Sequence, residues 1–332
     1  LDGKPYVGGD FTTAGGIVAN HIARWDPVSW TWSAIQSGGN HGTNGAVLAL
    51  TTANGKLYVG GSFTTAGGVP ANRIACWDPA TQTWSALGSG TDQSVSALHV
   101  HEGVLYAGGG FTTAGGVSAS RIARWDFTTQ TWSALGSGTN DTVAALTVRD
   151  GKLYAGGRFT IAGGVGVNRI ARWDLAAQTW SAIGSGLNDK VLALTHLQGQ
   201  VYAGGSFYAA GNADAHYVGR WDPAGGTWSP LGSGTNGPVK ALAGLGDQMY
   251  AGGDFTLAGG ASASRISSWD PLLQVWSPLG SGMDSPVLAL CALDGQLYAA
   301  GGFTTAGGIV ANYIARWDPV TQTWSSLESG TN

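Results

Sequence analysis

The sequence predicts an all-β, seven-bladed β-propeller with four antiparallel strands in each blade. Three observations support this prediction. A block of about 48 residues recurs along the chain, each copy contains four short strand-like runs, and no run shows the 3.6-residue periodicity of a helix.

A Trp-Asp pair marks the repeat. The first two pairs are 52 residues apart and all later neighbours are 48 apart, because the segment NHGTNG at 40–45 enlarges one loop. A second tryptophan follows each pair at a constant distance of seven residues. A fixed period in this range is typical of propellers and solenoids. The seven pairs begin at Trp25, Trp77, Trp125, Trp173, Trp221, Trp269 and Trp317.

Each repeat contains four runs that are apolar or alternating and are bounded by Gly, Asn, Asp or Thr. In one copy they are VSALHV (95–100), LYAGG (105–109), RIARWD (121–126) and TWSALG (131–136). We therefore predict one propeller domain over residues 1–332. Its blades are expected at approximately 1–36, 46–88, 94–136, 142–184, 190–232, 238–280 and 286–328.

Blade 1 is expected to lack its innermost strand. Residues 1–4 align with 293–296, just after a first strand, and residues 330–332 align with 138–140, just before one. Neither end supplies the first strand of blade 1, so 27 strands are predicted where 28 would complete the ring. An open edge is a template for another strand. We expect the natural chain to continue past at least one end, with that continuation or a partner chain filling the position.

Composition excludes several classes of partner. The net charge is −4 and there is no basic run, which argues against nucleic acid and anionic membranes. No apolar stretch approaches the ~20 residues of a membrane helix, so insertion by this segment is not expected. Cys76 and Cys291 occupy different positions of distant repeats, and we expect them not to form a disulfide.

Three elements carry a resemblance to a known family. A Gly-Gly closes the second strand, as at Gly60-Gly61 and Gly108-Gly109, an aromatic-Asp closes the third, and a Trp begins the fourth. This pattern resembles the kelch-type β-propeller. The finer repeat is most like uncharacterised bacterial secreted propellers and is similar to the repeats of a fungal cortical cell-polarity marker. The resemblance covers the whole chain and implies the fold, whereas propellers serve many functions.

The residues do not assemble into a recognisable catalytic set. None of the six histidines stands in a metal-ligand motif, and no G-x-S-x-G is present. The aspartate of each Trp-Asp pair follows a strand and precedes a turn, where a carboxylate caps backbone N–H groups. The Asn or Asp of each GSGTN-type turn is likewise interpreted as turn chemistry. We expect no enzyme activity, no cofactor and no metal; a secreted enzyme of the kelch-propeller type is the third alternative.

Repetition favours binding. The FTTAGG and GSGTN loops are expected on one face, which would carry seven related surfaces, and linked weak sites gain avidity. We predict a non-catalytic, secreted or cell-surface scaffold for protein interaction, adhesion or assembly, with a protein or further copies as partner. The alternative is a multivalent lectin that binds glycans, since the chain has low charge and is rich in Thr, Ser, Asn and Trp.

A special site is expected where the repeat breaks. In blade 5, FYAAGNADAHYVGR (207–220) replaces FTTAGGVSASRIAR, the residue after Gly-Gly varies among blades, and Trp30 is unmatched in other repeats. The alternative is that these differences are loop divergence without functional consequence. The candidate binding residues are Asp10, Trp30, Arg158, Tyr208, Asp214, His216, Tyr217 and Asp254.

Overall fold

The computed structural model describes all 332 residues and confirms the seven-bladed, all-β propeller. We call the strands of a blade a to d in chain order. Blades 2–7 are four-stranded antiparallel sheets in the order a-b-c-d, and blade 1 contains only b, c and d. The predicted absence of one innermost strand is therefore confirmed. No helix long and apolar enough to cross a bilayer is found.

The strands of each blade are short, and in blades 2–7 strands a and b are the longest. In blade order they are Tyr6–Gly8, Ile22–Asp26 and Thr31–Ala34; Val47–Ala53, Lys56–Gly61, Ile74–Asp78 and Thr83–Ala86; Val95–His101, Val104–Gly109, Ile122–Asp126 and Thr131–Ala134; Val143–Arg149, Lys152–Gly157, Ile170–Asp174 and Thr179–Ala182; Val191–Leu197, Gln200–Gly205, Val218–Asp222 and Thr227–Pro230; Val239–Leu245, Gln248–Gly253, Ile266–Asp270 and Val275–Pro278; Val287–Leu293, Gln296–Gly301, Ile314–Asp318 and Thr323–Ser326.

Each connection between strands b and c contains a small hairpin that the sequence pattern did not predict, because its two strands have only two residues each. These hairpins are Thr13–Ala14 with Ile17–Val18, Thr65–Ala66 with Val69–Pro70, Thr113–Ala114 with Val117–Ser118, Ile161–Ala162 with Val165–Gly166, Ala209–Ala210 with Ala213–Asp214, Leu257–Ala258 with Ala261–Ser262, and Thr305–Ala306 with Ile309–Val310. The enlarged first loop forms one more, Gln36–Ser37 with Asn40–His41.

The register explains where the elements begin. In blade 3, Val95 pairs with Gly109, a bulge follows, and Ala97 pairs with Gly108. The Gly-Gly thus closes strand b as predicted. Strand c begins at Ile122 and not at Arg121, because Arg121 has a φ of 64°, outside the β region.

The core lies between adjacent blades. One cluster combines Tyr58 and Ile74 of blade 2 with Val95 and Leu105 of blade 3, and the other clusters repeat this arrangement around the ring. Trp125 and Trp132 pack with ring centroids 5.4 Å apart, and both are buried. The interpretation of the paired tryptophans as packing residues is confirmed at these positions. Burial of large aromatic rings between the blades stabilises a chain with so much glycine.

Candidate functional site

The b–c hairpins and the d–a loops lie on the same face of the ring, which we call the hairpin face. In the antiparallel pairing the start of strand b lies beside the end of strand c, so the a–b and c–d turns are at the opposite face. The b–c and d–a connections therefore share the hairpin face. In blade 3 the hairpin turns at Gly115 and Gly116, whose φ values are 60° and 80°. A Cβ on Gly115 would lie 2.5 Å from Cδ1 of Trp132. The Ala-Gly-Gly motif therefore lets the hairpin pack against the strand-d tryptophan of its own blade.

The Asn or Asp of each d–a turn joins two blades. Asn236 accepts hydrogen bonds through Oδ1 from the N–H groups of Thr256 and Leu257, at 2.7 and 2.8 Å. Its Nδ2 donates to Oγ1 of Thr256 at 2.9 Å. Seven side chains make the equivalent backbone contacts: Asn44, Asp92, Asn140, Asn188, Asn236, Asp284 and Asn332.

This geometry corrects the interpretation of these residues as ordinary turn formers. The acceptor does not cap its own turn but reaches the hairpin of the next blade, 20 residues further along the chain for Asn236. For Asn332 the next blade is blade 1, where Oδ1 accepts from the N–H groups of Thr12 and Thr13 at 2.8 and 2.7 Å. Every hairpin is therefore held from two sides, by its own tryptophan and by the preceding blade.

Ten of the eighteen large apolar side chains that are exposed lie on or beside these hairpins. Apart from blade 2, every blade presents at least one large apolar side chain there, with exposed fractions between 36% and 70%. The sequence analysis did not identify them, although an apolar residue following the repeated Ala-Gly-Gly was a visible signal. They are Ile17, Val18, Val117, Ile161, Val165, Tyr208, Leu257, Ile309, Val310 and Tyr313.

The structure brings three of the blade-5 candidates together. The rings of Tyr208 and Tyr217 have centroids 4.8 Å apart, and their hydroxyl groups are hydrogen-bonded. His216 meets Tyr208 edge-on at 6.1 Å. The hydrogen bond with Tyr208, together with burial, raises the pKa of Tyr217 to about 12. Asp214 lies exposed on the second strand of the same hairpin.

The variable residues after Gly-Gly lie on other blades. Asp10 in blade 1 is highly exposed, with Oδ1 3.4 Å from Nδ1 of His21. Asp254 in blade 6 is paired with Lys240, at 2.8 Å between Oδ1 and Nζ. The structure does not bring these two carboxylates together with the aromatic cluster of blade 5 into one site.

Arg158 lines a polar cavity of about 300 Å³ at the boundary between blades 4 and 5. Its main-chain carbonyl accepts a hydrogen bond from Nη1 of Arg169 at 2.5 Å. The sequence analysis missed the other members of this cavity, because two come from the loop of the next blade. The lining residues are Asp141, Arg158, Arg169, Asp189 and Lys190.

Trp30 lies on the opposite face of the ring, in the c–d turn of blade 1. The ring is 45% exposed. Cζ of Arg316 lies 5.1 Å from its centroid, a cation–π distance, and Trp25 meets it edge-on at 5.9 Å. Trp30 is therefore separate from the other candidate residues.

The seven repeated aspartates cap turns, as predicted. Oδ1 of Asp126 accepts from the N–H groups of Thr128 and Thr129, at 2.7 and 3.0 Å. These two hydrogen bonds, the one from Thr129 first, hold the pKa of Asp126 below its ordinary value. No three His, Cys, Asp or Glu side chains are grouped closely enough to hold a metal ion.

Comparison with known proteins agrees with this geometry. Residues 288–331 match the family model of the Kelch motif, and residues 41–151 match that of the Rax2 C-terminal beta propeller domain. The chain is a seven-bladed β-propeller whose last blade matches the Kelch motif. Further segments of this propeller, residues 1–28 and 149–174, match a beta-propeller domain of unknown function, DUF5122. The predicted resemblance is confirmed by these matches.

Solved structures resemble this propeller at the level of the fold. One is the computationally designed Ika8 protein, with a TM-score of 0.55, 20% identity, and coverage of 87% of this chain and 76% of that chain. Another is the extracellular domain of a putative one-component system from B. thetaiotaomicron, with a TM-score of 0.62 and 12% identity. That match covers 90% of this chain and 37% of the other. No curated protein matches the propeller.

Proposed function

We propose that this propeller is a non-catalytic module at the cell surface or outside the cell, where it acts as a rigid, multivalent scaffold for protein interaction, adhesion or assembly. The observation that supports the proposal is the set of exposed apolar side chains on hairpins of the hairpin face. Monomeric proteins rarely group exposed apolar side chains without a binding role.

Rigidity strengthens the argument. Each hairpin is fixed by the hydrogen bonds of the preceding blade, such as those from Thr256 and Leu257 to Asn236. A surface that is already ordered loses little conformational entropy when a partner binds. Repetition of the hairpin then supplies several weak contacts at fixed distances, which a repetitive partner can engage together.

The proposed location rests on a comparison with one solved structure. The B. thetaiotaomicron neighbour is an extracellular domain, and we extend that location to this propeller as part of the proposal. Fractionation of the source organism, with detection by a specific antibody, tests it directly.

Two variants with the same number and kind of substitution test the role of the hairpin face. The first replaces Val18 and Val310 by Ser in the adjacent hairpins of blades 1 and 7. The control replaces Val28 and Val320 by Ser in the c–d turns of the same two blades, where both side chains are highly exposed on the opposite face. Binding of labelled protein to the surface fraction of the source organism is measured for each.

We expect the hairpin variant to lose roughly tenfold or more in affinity, because buried apolar contacts dominate such interfaces, and the control to bind normally. Protease treatment of the surface fraction should abolish binding, and periodate oxidation of its glycans should not. Equal binding by both variants, or no binding by the parent protein, would contradict the proposal.

A lectin is the second candidate, favoured by the aromatic cluster of blade 5. Tyr208 is 53% exposed and stands beside Tyr217 and His216. Exposed aromatic rings next to polar groups suit the apolar faces of sugars. A glycan array tests this function, with Tyr208→Ala as the disruptive variant and Tyr313→Ala, in the blade-7 hairpin, as the control. Glycan binding lost only in Tyr208→Ala would favour the lectin, and an array without signal would exclude it for the glycans present.

A further inference from the structure

A row of three side chains crosses every blade on one face of its sheet. A tyrosine of strand b pairs with the third residue of strand c, and this residue pairs with a serine of strand d. In blade 4 the row is Tyr154, Arg172 and Ser181. The middle residue is arginine in blades 1, 3, 4, 5 and 7. Nε of Arg172 donates a hydrogen bond of 3.0 Å to Oγ of Ser181, so a guanidinium group lies between the outer strands of the blade.

Two blades lack this arginine, and they differ in what takes its place. In blade 2 the middle residue is Cys76, and the ring of Phe127 from blade 3 packs on Tyr58 with centroids 5.0 Å apart. In blade 6 the middle residue is Ser268, and blade 7 has Pro319 at the position of Phe127. The smaller side chains leave a cavity of about 570 Å³ between blades 6 and 7, which we name the blade-6 pocket.

The blade-6 pocket is rich in hydrogen-bond acceptors, and no charged side chain lines it. Trp317 forms part of one wall. The serine of strand d is half-buried in the five blades that have the arginine, whereas Ser277 is exposed. The groups that a guanidinium contacts elsewhere are therefore open to solvent here. The polar side chains of the pocket are Gln248, Tyr250, Ser268, Ser277 and Gln322, each of which can accept a hydrogen bond.

A carboxylate without an ion pair stands beside the pocket. Asp270 accepts a hydrogen bond of 2.9 Å from Nε2 of Gln248, which lines the pocket. The equivalent aspartate of blade 4, Asp174, is paired with Lys152, but the glutamine of blade 6 brings no positive charge. Blade 6 has thus lost both cations that blade 4 places in this region, Lys152 and Arg172. A cationic ligand would restore the charge balance.

The turn next to the pocket is apolar. Leu272 and Leu273 are 88% and 68% exposed, and no other c–d turn contains two leucines. Val275 is exposed on strand d, two residues before Ser277, where all six other blades have threonine. A polar pocket beside exposed apolar side chains suits a protein partner, which can contact both, better than a small guanidino compound.

We propose that the blade-6 pocket binds an arginine side chain of a partner protein, in the place that the chain's own arginine occupies in five other blades. Arginine suits the pocket better than lysine, because its planar group presents several N–H donors to acceptors on two strands. Apolar residues beside that arginine would contact Leu272, Leu273 and Val275. None of the b–c hairpins lines the pocket, so this inference is independent of the proposed role of the hairpin face.

Peptide binding tests the inference. Three peptides with blocked ends, GLRLG and its versions with lysine or citrulline in place of arginine, are titrated to millimolar concentration. The NMR signal of the Trp317 indole reports on the pocket. Ser268→Arg fills the pocket with the chain's own guanidinium and should fold, since five blades contain this arginine. Ala176→Arg is the control, because it adds the same charge at an exposed position of the blade-4 turn.

In the parent protein we expect the arginine peptide to bind roughly fivefold or more tightly than the lysine and citrulline peptides, since only arginine combines charge with a planar set of donors. Ser268→Arg should lose this binding, and Ala176→Arg should keep it. Replacing Leu272 and Leu273 by alanine, the residues found in blade 4, should weaken binding of the arginine peptide several-fold.

Four results would overturn the inference. The first is that no peptide binds to the parent protein. The second is that the three peptides bind equally well to the parent, a comparison that requires no variant to fold. The third is that folded Ser268→Arg binds the arginine peptide as the parent does. The fourth is that methylguanidinium binds as tightly as the arginine peptide, because the ligand would then be a small guanidino compound.

Discussion

The indole N–H of Trp132 donates a hydrogen bond of 2.8 Å to the main-chain carbonyl of Leu87 in the preceding blade. Five further strand-d tryptophans repeat this bond, including Trp32, which reaches Leu327 at 3.0 Å and so joins blade 1 to blade 7. Trp84 is the exception, and its indole N–H has no protein partner. The carbonyl of Ile35, which occupies the equivalent place, accepts only from the N–H of Gly42, whereas the carbonyl of Leu87 accepts both from Trp132 and from the N–H of Gly90.

This difference makes a matched pair of substitutions possible. Trp132→Phe should lose aromatic packing and the hydrogen bond, whereas Trp84→Phe should lose packing alone. Because the carbonyl of Leu87 would keep only the hydrogen bond from the N–H of Gly90, we expect Trp132→Phe to be the more destabilising by ~1 kcal/mol. Urea denaturation of both variants measures this difference in the free energy of unfolding. Equal losses would mean that the bond contributes nothing to stability.

Truncation of a buried tryptophan should be far more costly. Trp125 is 7% exposed and lies in the core between two blades, so Trp125→Ala should lower the free energy of unfolding by ~3–5 kcal/mol. The control is Trp30→Gln, which restores the residue found at this position in most other blades. Since Trp30 is exposed, its replacement should cost less than ~1 kcal/mol. A loss below that value for Trp125→Ala would show that its ring is not a core residue.

The hydrogen bonds between neighbouring blades predict an ordered series at position 236. Asn236→Asp should be nearly neutral, because Asp92 and Asp284 make the same backbone contacts in other blades. Asn236→Ala should destabilise by roughly 1–2 kcal/mol, since the N–H groups of Thr256 and Leu257 lose their acceptor. Thermal unfolding of the three proteins ranks them. An alanine variant as stable as the parent would show that water replaces the side chain without cost.

Acid should destabilise the ring through its turn aspartates. Hydrogen bonds from Lys152 and from the N–H of Ala177 lower the pKa of Asp174 from 3.8 to about 2. Hydrogen bonds from Lys4 and from the N–H of Val28 lower the pKa of Asp26 to about 2 in the same way. A carboxyl group whose pKa is lower in the folded state than in the unfolded state stabilises the folded state at pH values above its unfolded pKa. This stabilisation is lost as the pH falls and the group binds a proton. Stability should therefore fall as the pH decreases from about 4 to about 2.

The variant Asp174→Asn isolates one contribution to this pH dependence. The amide still accepts the two backbone hydrogen bonds but cannot be protonated in this range, so the variant should lose less stability between pH ~4 and ~2 than the parent does. Urea midpoints at several pH values provide the comparison. The same slope in both proteins would assign the acid sensitivity to other groups.

The strands of each blade could be predicted because they repeat. Gly108, Trp125 and Trp132 recur at fixed spacing, and the packing they provide is the same in each blade. Contacts between blades could not be predicted in the same way. The link from Asn236 to Thr256 spans 20 residues, and Lys190 reaches the cavity of Arg158 from the next blade. In both cases the sequence identifies the residue. Its contact partner becomes known only when the closed ring brings neighbouring blades together.

Asn44 and Asn236 each precede a glycine, the sequence context in which asparagine side chains hydrolyse most readily. The threonine opposite each one can adapt to the product, since its hydroxyl accepts from an amide, as in Thr64 with Asn44, or donates to a carboxylate, as in Thr112 with Asp92. Where such an asparagine is converted to aspartate in an ageing protein, the ring gains negative charge and keeps the connection. Conversion of either asparagine to aspartate is thus compatible with the hydrogen bonds that join neighbouring blades.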